Sequence, residues 1–424
     1  MKKNKISKIS DFQDLDHLDG VAISVVNAKL YNPPRDDLVL FYFRNGANYA
    51  SVYTQSTIIS ENIKWNKQIS SKKIKAILIN TRNANAFTGK DGYQGLKDIA
   101  EELSMQLTNK KKSDDDVFEK VKSKEILFGC TGTIGEVFPT QKIMNSLPDL
   151  MNKITYNQNK YLWVKAALGI TTTDLVPKIA MEECKIGNIN VKIYGVAKGS
   201  GMIFPNMATM LAFIFTDFQI DKNTLSLFTQ KAVDESFNRI TVDGDTSTSD
   251  TVFVSTTNKE TLKISIEKRP KALRDFYKEL KNAMVNLAKK IVMDGEGAKK
   301  FVEITVKNAK NVARAKKICF SIANSLLVKT AIAGEDANWG RLVMAIGKSR
   351  INLDIKKLKI FMQGFLLCEN GKGIKITDEG SLSKALKKNK VVIVIDLAEG
   401  NKKFTAWTSD LTEEYIRINA DYRS

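Results

Sequence analysis

Residues 198–211, KGSGMIFPNMATML, say more about this chain than any other segment. They form a glycine-rich stretch with one proline, which is typical of a loop, and they lead into the apolar run 212–215, which predicts a buried strand. The loop therefore delivers a small hydroxyl residue, Thr209, to the start of that strand. Its hydroxyl is the first candidate for a nucleophile. The alternative is that Thr209 is a structural residue without a catalytic role, present because threonine favours β-strands.

The sequence offers Thr209 an unusual base. A threonine hydroxyl is a poor nucleophile unless a base lies beside it. The one histidine of the chain, His17, is far away in sequence and stands among acidic residues, so a Ser-His or Cys-His pair is hard to build. A cut between Ala208 and Thr209 would free the α-amine of Thr209, and threonine with its own amine is a known nucleophile–base pair.

Further blocks of sequence resemble one enzyme family. The blocks are NANA at 83–86, TGTIGE at 131–136, TTD at 172–174, VDGDTST at 242–248, DGEGA at 294–298, KTA at 329–331, DANWGR at 336–341 and INA at 418–420. Together with 198–211, these blocks resemble the ornithine acetyltransferase family of arginine biosynthesis, and they follow that family's order over most of the chain.

The resemblance implies a fold and a division of the chain. The expected fold is α+β, an αββα sandwich of the DmpA/ornithine acetyltransferase type with a smaller C-terminal domain. Self-cleavage is expected to give an α chain, residues 1–208, and a β chain, residues 209–424, which carries the nucleophile and the smaller domain. Two α and two β chains are expected to form a heterotetramer. A cytoplasmic location is expected because the sequence predicts neither a membrane span nor a signal segment.

The resemblance also implies an activity and a site. The expected reaction moves an acetyl group from N-acetylornithine to glutamate through an acetyl ester on Thr209. Thr131 and Gly132 match the family's oxyanion donors. The substrate contacts carried over are Thr172, Lys198, Thr209, Glu296, Asn419 and Ser424. The sequence leaves open whether Thr172 or Thr173 contacts substrate, and whether acetyl-CoA is a second acetyl donor. No metal or other cofactor is expected.

Two other functions are weighed against this one. An amidase or aminopeptidase with an N-terminal nucleophile would share the fold and use water in place of glutamate as acceptor. A net charge of +19 suggests a nucleic-acid-binding protein, but the basic residues are mostly lysines spread along the chain, so a lysine-rich solvated surface is favoured. No nucleic-acid partner is therefore expected. No apolar run is long enough for a membrane span, and the four cysteines form no CxxC pair.

Turn and capping residues predict some local structure. Asn45-Gly46 between the runs 38–44 and 50–54 predicts a hairpin, and Gly400 between 391–395 and 404–408 predicts another. Asp221 predicts the start of a helix, and Asp410 followed by Glu413 predicts a capping box at the last helix.

Overall fold

The structure is a computed structural model of the 424-residue chain that describes residues 12–109, 120–204, 210–257, 270–375 and 378–421. The chain divides into two compact units. The large unit comprises Met1–Gly199, Asn206–Asn238 and Thr246–Leu287. The small unit comprises Ser200–Pro205, Arg239–Asp245 and Ala288–Ser424.

The strands and helices alternate along the chain. The strands are β1 Val21–Val26, β2 Leu38–Ala47, β3 Tyr49–Tyr53, β4 Ile74–Asn80, β5 Ile126–Cys130, β6 Lys178–Ile186, β7 Ile189–Lys198, β8 Leu211–Thr216, β9 Thr251–Thr256, β10 Phe301–Ala309, β11 Lys359–Met362, β12 Phe365–Glu369, β13 Lys372–Gly373, β14 Lys390–Asp396 and β15 Lys402–Ser409. The α-helices are α1 Glu61–Lys67, α2 Gly89–Asn109, α3 Thr140–Asn152, α4 Lys160–Gly169, α5 Lys222–Glu235, α6 Pro270–Met293, α7 Val312–Ala323, α8 Leu326–Ala333, α9 Trp339–Lys348, α10 Glu379–Leu386 and α11 Glu413–Ala420.

The large unit contains two sheets packed face to face. A four-stranded sheet has the order β1-β2-β4-β5, and a five-stranded sheet has the order β3-β9-β8-β7-β6. Between them lies an apolar core in which the Phe41 ring of β2 is 4.5 Å from the Phe215 ring of β8, centroid to centroid. Trp163 of α4 packs at the same core against Tyr194 of β7. Because side chains alternate along a strand, every second residue of β8 faces this core.

Helices cover the outer faces of both sheets. On the four-stranded sheet, Leu40 and Leu78 share a core with Leu96 of α2 and Ile143 of α3. On the five-stranded sheet, a β-carbon on Gly195 of β7 would lie 2.8 Å from Leu287 of α6. The layers of the large unit are thus helix, sheet, sheet and helix. The predicted α+β class and αββα sandwich are confirmed.

The small unit is built on a six-stranded sheet with the order β13-β12-β11-β14-β10-β15. Its core joins apolar residues of β10, β14 and β15 to one face of α7, including Ile318 and Ile322. This unit is the predicted smaller C-terminal domain. It also contains Ser200–Pro205, which precede Thr209 in the chain, so its boundary does not follow the expected cut.

Both predicted hairpins are wrong. β2 runs on through Gly46 in the four-stranded sheet, and β3 pairs with β9 in the other sheet. β14 and β15 do not pair with each other, because β10 lies between them, parallel to β14 and antiparallel to β15. A glycine turn between two apolar runs allows the chain to reverse, but packing decides which strand becomes the neighbour.

The predicted helix starts have different outcomes. Asp221 is confirmed as the N-cap of α5, since its carboxylate accepts hydrogen bonds from the amides of Asn223 and Thr224. The capping box at Asp410 is wrong. Thr412 is the N-cap of α11, and the Asp410 carboxylate instead accepts from the amide of Lys300 at the start of β10. Within the described ranges, no helix is both long and apolar enough to cross a bilayer.

Candidate active site

The last residue of β7, Lys198, is the centre of a cluster of polar side chains in the large unit. It pairs with Leu211 at the edge of the antiparallel ladder with β8, and it is 3% exposed. Its Nζ donates to Thr172 Oγ1 at 2.8 Å and to Thr131 Oγ1 at 3.2 Å. A buried ammonium is costly unless it is hydrogen-bonded and paired, so these hydroxyls are part of what keeps Lys198 in place.

Of the threonines at 171–173, Thr172 has a hydrogen bond with Lys198. Thr171 Oγ1 instead accepts from Arg35 Nη2 at 2.8 Å. Three predicted site residues, Thr131, Thr172 and Lys198, are therefore in direct contact although they come from distant segments. Which of Thr172 and Thr173 contacts substrate stays a prediction.

Thr131 and Gly132 form the turn that follows β5. The Thr131 amide donates to the carbonyl of Asn80, and the Thr133 amide donates to the carbonyl of Arg82, so the turn lies against the loop after β4. Gly132 has a φ of +133°, and a β-carbon there would be 2.1 Å from the carbonyl carbon of Arg82. Only glycine fits this close backbone approach.

Gly132→Ala is therefore expected to abolish activity and to lower stability by more than the ~1–3 kcal/mol of a strained φ alone. Gly135→Ala is the matched control, because Gly135 also has a positive φ, +81°, but nothing lies within 4 Å of its β-carbon position. Thermal unfolding and a specific-activity assay compare the two variants. Equal losses in both variants would show that the close approach at Gly132 is unimportant.

The contact with Lys198 makes Thr131 a suitable hydrogen-bond donor. A hydroxyl has one proton and two lone pairs. Because the Lys198 ammonium donates to Oγ1, the Thr131 proton is directed elsewhere and can be donated to an anionic oxygen. Such a donor, aimed at the charge that develops in a transition state, is what an oxyanion site needs.

A carboxylate that the sequence analysis did not select, Asp174, orders this cluster. Its Oδ1 accepts from the amide of Gly199 and from Lys178 Nζ, each at 2.6 Å. Its Oδ2 accepts from the amide of Thr172 at 3.0 Å. Asp174 thus fixes the backbone beside both Lys198 and Thr172. It stands in the block 172–174, and only its surroundings in the fold show what it does.

The ion pair of Asp174 with Lys178 is fully buried, since both side chains are 0% exposed. Burial by itself raises the pKa of Asp174, but Lys178, Lys198 and the Gly199 amide outweigh it and hold the pKa below the ordinary value. Asp174 therefore lies close to two ammonium groups, those of Lys178 and Lys198.

A second buried carboxyl group, that of Asp250, lies next to Met210, the residue before β8. It is 0% exposed, and its Oδ1 accepts from the amide of Met210 at 3.0 Å. Burial raises its pKa well above the ordinary value, against the opposing effects of the Met210 amide and Lys198.

Two other predicted site residues meet in the small unit. Asn419 Nδ2 of α11 donates to Glu296 Oε2 at 2.8 Å. The Glu296 amide donates to the carbonyl of Ser200, and Glu296 is 8% exposed. A β-carbon on Gly201 would lie 2.3 Å from Glu296 Oε2, so a glycine there gives this carboxylate its room.

Three other predicted site residues, Ala208, Thr209 and Ser424, lie outside the described residues. His17 is half exposed and contacts Asp19. Among the described residues, no three His, Cys, Asp or Glu side chains are grouped so that they could hold a metal ion.

Solved structures with related sequences include two bacterial enzymes. The arginine biosynthesis bifunctional protein ArgJ of Bacillus halodurans is 39% identical, with a TM-score of 0.46, over 50% of this chain and 98% of that chain. The ornithine acetyltransferase of Mycobacterium tuberculosis, in complex with ornithine, is 22% identical, with a TM-score of 0.38, over 46% of this chain and 97% of that chain.

Full-length relatives give a closer comparison. The arginine biosynthesis bifunctional protein ArgJ of Bradyrhizobium diazoefficiens is 40% identical over 97% of each chain. That of Brucella melitensis is 39% identical over 96% of this chain and 95% of its own. The profile of the ArgJ family matches residues 22–424. Because the profile matches almost all of the chain, this chain belongs to the ArgJ family.

Proposed function

We propose that the protein transfers an acetyl group from N-acetylornithine to glutamate, through an acetyl ester on Thr209 that becomes available once the chain cuts itself before Thr209. Membership of the ArgJ family makes the protein an acyltransferase of arginine biosynthesis. The observation that carries the chemistry is the contact of the buried Lys198 ammonium with the hydroxyls of Thr131 and Thr172.

Self-cleavage would proceed in two steps. The Thr209 hydroxyl attacks the Ala208 carbonyl, the C–N bond breaks, and an ester to the Thr209 oxygen replaces the peptide bond while the Thr209 amine is freed. Water then hydrolyses the ester, which leaves a carboxylate on Ala208 and restores the Thr209 hydroxyl. An α-amine has an ordinary pKa of about 7.7–8.0, which is close to the value that a general base needs at neutral pH.

The acetyl transfer would use the same hydroxyl. The amine of Thr209 takes the hydroxyl proton while the oxygen attacks the acetyl carbonyl of N-acetylornithine. Thr131 and Gly132 donate to the oxyanion, and the C–N bond then breaks. Ornithine leaves with the proton, and Thr209 carries the acetyl ester. The α-amine of glutamate attacks this ester, which forms N-acetylglutamate and restores the hydroxyl.

The charges of the described residues support amino-acid substrates. The Lys198 ammonium can hold an α-carboxylate, which ornithine and glutamate share. Thr172 adds a hydroxyl to the same site. We assign the Glu296 carboxylate, held by Asn419, to an amine or amide N–H of the substrate. Ser424 keeps its predicted role as a substrate contact.

The donor, the chain division, the assembly and the location are proposed as follows. Acetyl-CoA is proposed as a second acetyl donor, and no other cofactor is proposed. The division into chains 1–208 and 209–424, the assembly of two α and two β chains and a cytoplasmic location stay predictions. The amidase alternative differs only in the acceptor, so an assay can separate the two.

Steady-state kinetics test the proposed reaction. With N-acetylornithine and glutamate varied together, we expect parallel lines in double-reciprocal plots, because the acetyl ester forms before glutamate reacts. Mass spectrometry after incubation with N-acetylornithine alone should find an acetyl group on Thr209. Ornithine released without N-acetylglutamate would indicate the amidase. Intersecting lines without a trapped acetyl group would exclude the covalent route. Glutamate with acetyl-CoA tests the second donor.

A further inference from the structure

The sequence block 83–86, NANA, has no role in the proposed reaction, yet its first residue lies against the turn that follows β5. Asn83 comes shortly after the end of β4 and is 3% exposed. Its backbone forms isolated bridges with Thr131 and with Thr133, one on each side of Gly132. The block and the turn both belong to the large unit. Asn83 is therefore placed to control the geometry of the two proposed oxyanion donors.

The backbone of the turn is attached to the loop after β4 through every second amide. The amides at positions 131, 133 and 135 donate to carbonyls of the loop 80–86. Successive amides of an extended chain point to opposite sides, so the Gly132 amide is turned away from this loop. Among the described residues the Gly132 amide has no acceptor, which leaves it available for an oxyanion.

The side chain of Asn83 holds the far end of the same turn. Its Nδ2 donates to the carbonyls of Glu136 at 3.2 Å and Val137 at 3.0 Å. Its Oδ1 accepts from the amide of Asn85 at 2.8 Å, so one side-chain amide joins the turn to its own loop. Leaving any of these buried groups without a partner is costly, and the side chain is therefore held in one orientation.

Arg82 reaches the turn as well, but from the surface. Its Nη1 donates to Thr133 Oγ1 at 2.6 Å and to Glu136 Oε2 at 3.0 Å. The side chains of Arg82 and Glu136 are each 42% exposed, and ion pairs with this exposure contribute little to stability. The buried contacts of Asn83 therefore hold the turn more firmly than the ion pair does.

We propose that Asn83 is a positioning residue for the oxyanion donors Thr131 and Gly132, and this inference rests on the proposed function. Asn83 keeps the turn against the loop 80–86, so that the Thr131 hydroxyl and the Gly132 amide stay in a fixed geometry. Losing one oxyanion donor typically costs about 100- to 1,000-fold in kcat, and a misplacement of about 1 Å can cost about 100-fold. Because these donors act on charge that develops in the transition state, a loosened turn lowers kcat and leaves KM nearly unchanged.

Asn83→Asp tests this role, because it keeps the shape of the side chain and turns an oxygen toward the two carbonyls. Gln158→Glu is the matched control. The Gln158 amide is also buried, donates to the carbonyls of Leu18 and Val21 and accepts from the Leu18 amide, so it holds a different segment in the same way. Both variants should lose stability. Only Asn83→Asp should lower kcat, by at least about tenfold with KM within about twofold, whereas Gln158→Glu should keep kcat within about twofold.

Initial rates are measured on the full-length proteins with N-acetylornithine and glutamate, and kcat is referred to the self-cleaved fraction seen by denaturing electrophoresis. Unfolded or uncut chains then do not lower the value. A kcat of Asn83→Asp equal to that of the control would overturn the inference. So would a loss that appears only as a higher KM, because that would mean weaker substrate binding rather than a misplaced oxyanion donor.

A second measurement covers variants that fail to fold or to cut. Asn83→Ala removes the side-chain amide without adding a charge, and Gln158→Ala is its control. In a Thr209→Ala background, hydrogen exchange at the amides of Thr133 and Gly135 should be at least about tenfold faster with Asn83→Ala and unchanged with Gln158→Ala. Unchanged exchange with Asn83→Ala would overturn the inference. A wild-type protein that transfers no acetyl group would instead refute the proposed function, and the exchange test would still show whether Asn83 holds the turn.

Discussion

Replacing Thr209 by alanine is expected to leave one uncut chain of 47.4 kDa without acetyltransferase activity, whereas the wild-type protein separates into two fragments under denaturing conditions. The variant loses the hydroxyl that opens the Ala208–Thr209 bond, and it also loses the later acceptor of the acetyl group. Both defects have one cause, so processing and activity should disappear together. Denaturing electrophoresis and intact-mass measurement give the result directly.

Thr209→Ser is the control for this prediction, since it keeps the hydroxyl and removes only a methyl group. It should cut, more slowly or at a similar rate, and should yield a second fragment that begins at residue 209. N-terminal sequencing of that fragment locates the cut. An active wild-type enzyme that remains a single chain would contradict the mechanism, as would a fragment that begins at any other residue.

Replacing Asp174 by asparagine is expected to destabilise the protein by about 3–5 kcal/mol and to lower its activity strongly. Breaking a buried pair leaves an uncompensated charge, which is why the loss is this large. Here Lys178 loses its partner inside the core, and Lys198 loses a nearby carboxylate. Chemical denaturation measures the loss in the free energy of unfolding. Asp149→Asn is the matched control, because Asp149 pairs with Lys153 at the same i,i+4 spacing but with both side chains about half exposed.

The control should cost less than about 1 kcal/mol, as is typical of surface ion pairs. The free energy of unfolding that Asp174 contributes should also depend on pH. The pKa of Asp174 in the folded protein lies below the ordinary value of 3.8. Its contribution to stability is therefore fully present above pH 3.8 and is lost as the pH falls through the folded pKa. The difference between wild type and Asp174→Asn should therefore be constant from about pH 5 to pH 8 and shrink below about pH 4. A pH-independent difference would contradict this account.

Much of the large unit is predictable from local sequence. The apolar run 212–215 located β8, because the apolar pattern of a strand depends only on which residues face a core. Capping chemistry is local too, which is why the start of α5 at Asp221 is correct. The partner of each strand depends on segments far away in the chain. That is why the turns at Gly46 and Gly400 suggested hairpins that do not form.

In the candidate site, too, residue types follow from local sequence, whereas contacts follow from the tertiary structure. By itself, the sequence determined the candidate nucleophile Thr209, the turn at Thr131 and Gly132 and the lysine at the end of β7, since each stands in a motif that resembles one family. Only the tertiary structure decided that Thr172 contacts Lys198, and that Asp174 is the carboxylate close to two lysines. A motif specifies residue types and spacing along the chain. Hydrogen bonds and buried ion pairs are specified by the segments that the two packed sheets bring together, and no local pattern contains that information.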